Sequence, residues 1–235
     1  MKKELWINTI SWAATGILFA LAAPGVSGTA TAAVTETAVV ATVAADYSSA
    51  AHAIVSVDPV GGFRTVRSDL LPTLASDITV SAHRNFFYRI ERFQADNVTK
   101  FDISAPETPI WQFSTLDPGD TVSSNPCDML FVSDQKAYLL RYGKTRAWIV
   151  NPSAGTAAEF KTGELDLGAY ADTDGIPEMI GGVIVDDRVF IVLQRLDRDN
   201  DWVPSNTAYL AVFDTATDRE IDTGAPNSDG VKGIP

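Results

Sequence analysis

The stretch richest in potential ligand groups is Asp197-Arg198-Asp199-Asn200-Asp201. Carboxylates at alternate loop positions can converge on Ca2+ through hard oxygen ligands, and Asp197, Asp199 and Asp201 start as an EF-hand loop starts. The pattern then departs, with Trp202 in place of the turn glycine and Ala208 in place of the bidentate glutamate. A solvated acidic loop is the simpler reading and a calcium site the sharper one. Asp172-Thr173-Asp174-Gly175 has a similar composition and reads as a turn before a strand. Trp202-Val203-Pro204 places an apolar tip on the acidic loop, either as a contact element for a partner or as a segment packed back onto its own unit.

Other reactive residue types are sparse. His52 and His83 stand alone, without a cysteine or second histidine at ligand spacing, which suits surface or hydrogen-bonding roles. Cys127, the single cysteine, cannot close an internal disulfide and reads as a small packed residue. No Gly-x-Ser-x-Gly, His-Glu-x-x-His, phosphate-cradling loop or dinucleotide fingerprint occurs, and no cofactor is identified.

The elements that position these residues form a repeat. Three segments share an acidic start, an apolar run, a polar turn and a second apolar run. They begin at Asp77, Asp128 and Glu178, spaced 128−77 = 51 and 178−128 = 50 residues. A third run in each ends in Asp or Asn, as at Asp102, Asn151 and Asp214, with an earlier copy ending at Asp58. Those side chains suit turns in which they accept backbone N–H groups. Short fourth segments follow around Phe63–Val66, Ile110–Phe113, Glu159–Thr162 and Glu220–Ile221. Four short strands per unit of about 50 residues is the signature of a β-propeller blade, in which neighbouring blades bury each other's faces. Phe87, Tyr138 and Phe190, on second strands, are expected between blades. The acidic loop is then an insertion between second and third strands, since Phe190 to Asp214 spans 24 residues where Tyr138 to Asn151 spans 13.

The run Val212-Phe213-Asp214-Thr215-Ala216-Thr217-Asp218-Arg219-Glu220-Ile221 resembles the repeats of the YVTN-type β-propeller family, in which an apolar strand ends in Asp-Thr-x-Thr. Asn151-Pro152-Ser153 and Asp102-Ile103-Ser104 are degenerate versions. The resemblance covers residues 53–224 at blade level and implies a fold in secreted, periplasmic or cell-surface proteins, with no particular activity. The expectation is an all-β propeller over 53–235, with three full four-stranded blades and a half-blade. It is expected to be a fragment of a larger, seven-bladed ring.

The N-terminus reads as an address. Lys2 and Lys3 precede an uncharged stretch from Leu5 to Thr35 with the apolar run Ile17–Ala23, and Ala30-Thr31-Ala32 supplies a cleavage site. This suggests a signal peptide over 1–32 and a flexible Ala/Thr/Val-rich lead-in over 33–52. The mature chain is expected to have no transmembrane span. The whole chain has 235 residues, 18 Lys+Arg against 30 Asp+Glu and a net charge of −12, which argues against nucleic acid or an anionic membrane surface as a partner. The functional expectation is an exported binding module for a protein or glycan. The alternative is an enzyme using the propeller channel, a lactone hydrolase or a quinone-cofactor or haem-dependent oxidoreductase subunit. The unusual residues lie on an outer loop, which favours binding.

Overall fold

Apolar runs separated by Asp, Asn and Gly turns become antiparallel strands, most of them paired with a sequence neighbour within one sheet. The computed structural model describes the pairing of residues 10–13 and 231–232, and residues 36–57, 64–204 and 207–222 in full. The first sheet holds β1 (Ile10–Ala13), β2 (Thr37–Val43), β3 (Ala50–Ser56) and β4 (Val66–Thr73). The second holds β5 (Ile78–His83), β6 (Phe86–Glu91), β7 (Asn97–Asp102) and β8 (Pro109–Ser114). The third holds β9 (Pro126–Ser133), β10 (Lys136–Arg141), β11 (Arg146–Val150) and, after the helical turn α1 (Ala157–Phe160), β12 (Lys161–Asp166). The fourth holds β13 (Met179–Val185) and β14 (Arg188–Leu193). A small hairpin of β15 (Leu196–Asp197) and β16 (Val203–Pro204) follows, then β17 (Tyr209–Asp214). The sheet ends with β18 (Arg219–Glu220) and β19 (Val231–Lys232), which pair with successive parts of β17.

The first strands β1, β5, β9 and β13 are neighbours in that order, so the four sheets are β-propeller blades arrayed around one axis. The core lies between blades. Val39, Ala41, Ala50 and Ile78 pack with the stacked pair Phe87 and Phe101 between blades 1 and 2. Tyr88, Ile90 and Trp111 meet Met129, Leu139, Trp148 and Phe160 between blades 2 and 3. Tyr138, Leu140 and Ile149 meet Met179, Ile191, Leu193 and Phe213 between blades 3 and 4. Burying a large apolar side chain contributes about 1.5–3 kcal/mol, so these seams are what make the blades cohere.

Several expectations are corrected. Residues 37–43 and 50–52, expected in a lead-in, are strand: Val39, Ala41 and Val43 alternate onto the blade 1–2 core, and small alanines hide that alternation in the sequence. With β1 and β2 the N-terminal unit is a four-stranded sheet rather than a half-blade. The expected signal peptide lies outside the described residues except for Ile10–Ala13, whose backbone pairs with β2. Asp128 is not the counterpart of Asp77 and Glu178. The first strands begin at Ile78, Pro126 and Met179, opposite Glu91, Arg141 and Leu193, which gives spacings of 126−78 = 48 and 179−126 = 53. Irregular register near the starts of β9 and β13 conceals this in the sequence.

Phe87 and Tyr138 are buried but face opposite ways, towards blades 1 and 4, whereas Phe190 is half-buried beside exposed Val183 on the outer face of blade 4. The turn side chains behave as expected where they are described. Asp102 Oδ1 accepts Ser104 N–H at 2.8 Å, Asn151 Oδ1 accepts Ser153 N–H at 2.9 Å, and Asp214 Oδ1 accepts Thr217 N–H at 2.7 Å. Asp58 lies outside the described residues.

Candidate functional site

Three structurally equivalent residues precede first strands. The carbonyls of Asp77, Asn125 and Glu178 accept the N–H groups of Arg92, Tyr142 and Gln194 just after second strands. These three blade entrances share one end of the propeller with the loops that join second and third strands.

At the blade 3 entrance one oxygen of a buried carboxylate collects four donors. Asp96, 4% exposed, receives four donors on Oδ1: Ser123 Oγ at 2.9 Å, Ser124 N at 2.7 Å, Ser124 Oγ at 2.8 Å and Asn125 N at 2.9 Å. It fastens blade 2 to the start of blade 3.

The blade 4 entrance is built differently. Asp172, Asp174 and Glu178 bring carboxylate oxygens within 4.8 Å of one another, the one such group of His, Cys, Asp or Glu among the described residues. Asp174 Oδ1 accepts Ile176 N–H at 2.8 Å, which bends the chain at Gly175 (φ 83°) and turns Glu178 inward. Glu178 is 0% exposed; its Oε2 accepts Leu196 N–H at 3.0 Å. Burial lifts its carboxyl to about 7, against the opposing pull of that N–H. Arg198 closes the cluster by donating from N and Nε to Asp174 Oδ2, at 3.0 and 2.8 Å, with Nε 3.2 Å from Glu178 Oε1. A cavity of about 500 Å3, lined by Asp172, Thr173, Arg195, Asp197, Asn200, Val203 and Pro204, opens beside it.

The residues expected to bind calcium do not gather into such a set. Asp197 Oδ1 accepts Asp199 N–H at 3.2 Å, Asn200 N–H bonds the Asp197 carbonyl at 3.2 Å, and the loop returns to β16 through left-handed Asp201 (φ 54°) and Trp202 (φ 61°). Asp197 alone reaches the cavity shared with Asp172. In the sequence alone, residues 172–175 read as a turn and Glu178 as a strand start. The overlooked signal is the spacing of carboxylates at 172, 174 and 178 around a glycine.

Trp202 is 52% exposed and stacks on Tyr142 of blade 3, with ring centroids 6.5 Å apart. The insertion thus leans across the blade seam. With Phe93, Val122, Asn125 and Arg198 the two rings line a groove of about 610 Å3 that also reaches Asp77. A third cavity, about 400 Å3, is lined wholly by first-strand residues, including Ser81, His83, Asp128 and Gly182. Asp128 accepts Ser81 Oγ at 3.1 Å, and burial raises its carboxyl above the ordinary range.

The remaining reactive residues are occupied by structure. His52 is buried against the stacked rings of Phe87 and Phe101, with Nε2 2.7 Å from the Pro106 carbonyl. That oxygen only accepts, so Nε2 carries the proton, and burial drives the pKa down to about 4. His83 stacks on Phe131 and pairs with Asp134 at 2.8 Å. Cys127 is buried with Sγ 3.0 Å from the Met179 carbonyl, and burial pushes its thiol up to about 12.

No family model matches the sequence, and no curated protein matches it. Solved structures with a similar arrangement include hydrazine synthase of Kuenenia stuttgartiensis, 15% identical over 75% of this chain and 45% of that one, with a TM-score of 0.45. Virginiamycin B lyase from Staphylococcus aureus is 12% identical over 80% of this chain and 56% of that one, with a TM-score of 0.45. Apo AztD from Citrobacter koseri is 8% identical over 89% and 45%, with a TM-score of 0.44. The chain spans about half the length of each of these proteins.

Proposed function

We propose that the protein is an exported β-propeller binding module of YVTN repeat type, part of a larger ring, that holds a protein or glycan partner in the groove at the blade entrances. The observation that carries this reading is the groove itself, about 610 Å3 and walled by Tyr142 and the exposed rings of Trp202 and Phe93. That volume suits a ligand of ordinary size, and flat aromatic faces with a nearby Arg198 suit sugar rings and peptide side chains. Val183, Val185 and Val192, exposed on the outer face of blade 4, favour a further blade beside it. Export rests on the n-, h- and c-region order of residues 1–32. Cleavage after Ala32 would remove β1 and free the edge of β2 for another strand. Among the described residues no helix is long and apolar enough to cross a membrane.

The test is an isothermal titration of the full chain against a panel of oligosaccharides and peptides, with Trp202→Ala beside the parent. Binding lost in that variant supports the groove; binding that survives it unchanged overturns this site. The enzyme reading has one specific observation in its favour, the half-buried Asp128 with Ser81 on the inner strands. Lactone hydrolysis that disappears in Asp128→Asn would replace the binding reading.

A further inference from the structure

Buried carboxylate oxygens in a folded protein are normally met by donors, because stripping water from an unpaired one is costly. Two oxygens at the blade 4 entrance break that rule. Glu178 Oε1 and Asp172 Oδ2 are both closed off from solvent and have no hydrogen-bond partner. The neighbouring guanidinium does not satisfy Glu178, since Arg198 Nε carries one hydrogen and directs it to Asp174 Oδ2 at 2.8 Å. Oε1, 3.2 Å away, receives charge without a hydrogen bond. Arg198 bonds the cluster directly, while Arg195, which lines the adjoining cavity, directs Nε to the Tyr170 carbonyl and Nη1 to the Thr207 carbonyl.

We propose that this corner is a binding site for a divalent cation of the calcium class, with Asp172, Asp174 and Glu178 as ligands. The donor set is all oxygen, which selects a hard ion. Ligand atoms about 2.4 Å from one Ca2+ lie no more than about 4.8 Å apart, and one oxygen from each of the three carboxylates lies within 4.8 Å of the others. The adjoining cavity of about 500 Å3 supplies an entry path and room for the waters that complete a shell of six to eight oxygens. Arg198, with its side chain 26% exposed, balances part of the charge when no ion is bound and can swing outward when one is. Asp197, Asp199 and Asp201 are not among these ligands, although Arg198 of their loop bonds Asp174 and Asp197 lines the adjoining cavity, and the proposal does not depend on the groove reading.

The experiment is a calorimetric titration of the chelator-treated full chain with calcium chloride, alongside Glu178→Gln, Asp172→Asn and the double variant Asp199→Asn with Asp201→Asn. Circular dichroism checks that each variant is folded. Asp172 is only half-buried, so its variant keeps the test decisive if Glu178→Gln does not fold. The expected result is one Ca2+ per chain, weakened at least about tenfold by either Glu178→Gln or Asp172→Asn and changed less than about twofold in the double variant. Absence of binding up to about 10 mM Ca2+, above the range of weak extracellular sites, would overturn the proposal. So would binding that persists in both single variants or that the double variant abolishes.

Discussion

The entrances to blades 3 and 4 occupy equivalent positions in the repeat and treat a buried carboxylate in opposite ways. At blade 3 one oxygen of Asp96 gathers two backbone N–H groups and two hydroxyls, and blade 2 is tied to blade 3. At blade 4 Glu178 takes one backbone N–H, leaves Oε1 without a donor, and stands beside two further carboxylates. The first arrangement spends its charge on structure. The second stores charge that the chain's own groups leave unmet, and burial at the same corner produces a staple in one case and a ligand set in the other.

The largest contrast should come from removing the staple. Asp96→Ala leaves the buried Ser124 N–H unpaired and the Asn125 N–H with Ser123 Oγ alone, and is expected to cost about 3–5 kcal/mol in urea unfolding, with or without calcium. Asp96→Asn, which keeps the shape but loses the charge that four donors share, should cost about 1–3 kcal/mol. Glu178→Gln in chelator should change stability by less than about 1 kcal/mol, because the amide oxygen can still accept Leu196 N–H while the excess charge falls. Equal losses from Asp96→Asn and Glu178→Gln would erase the distinction between the corners.

His52 supplies a control remote from both, read as the difference between pH scans of the parent and His52→Phe because Glu178, at about 7, titrates across the same range with the opposite sign. His52 has a folded pKa near 4 against an ordinary 6.5, so the unfolded chain binds the extra proton between those values. Its contribution is complete above pH 6.5, declines as pH falls, and levels off below about 4. His52→Phe should remove that slope while leaving calcium binding intact. Trp202→Ala should have the smallest effect on stability, within about 0.5 kcal/mol, because the ring is half exposed, yet it should abolish groove binding.

Much of the fold was legible because alternating apolar runs and Asp/Asn turns are local signals. Asp102, Asn151 and Asp214 make the expected turn bonds. The insertion falls between second and third strands as its excess length indicates. The first blade was harder to read: Ala38, Ala41, Ala50 and Ala53 are buried strand residues whose short side chains give little contrast between faces. Blade register was obscured at the starts of β9 and β13, where irregular pairing displaced Asp128 from the position of Glu178. The acidic corner was hardest to see. Spacing revealed carboxylates at 197, 199 and 201, but which carboxylates lose water depends on the bend at Gly175 and the return of the chain at Leu196, contacts that no local pattern encodes.

The most direct test of the contrast is the melting temperature of the parent, Asp96→Asn and Glu178→Gln, each in chelator and in calcium at about 100 times the dissociation constant. Ligand linkage at that excess is worth about 2.7 kcal/mol, or roughly 5–10 °C for a chain of this size. Calcium is expected to raise the parent and Asp96→Asn by the same increment and Glu178→Gln by no more than about half of it, since binding tenfold weaker at that concentration is worth about 1.4 kcal/mol. A rise of equal size in Glu178→Gln, or none in the parent, would contradict it.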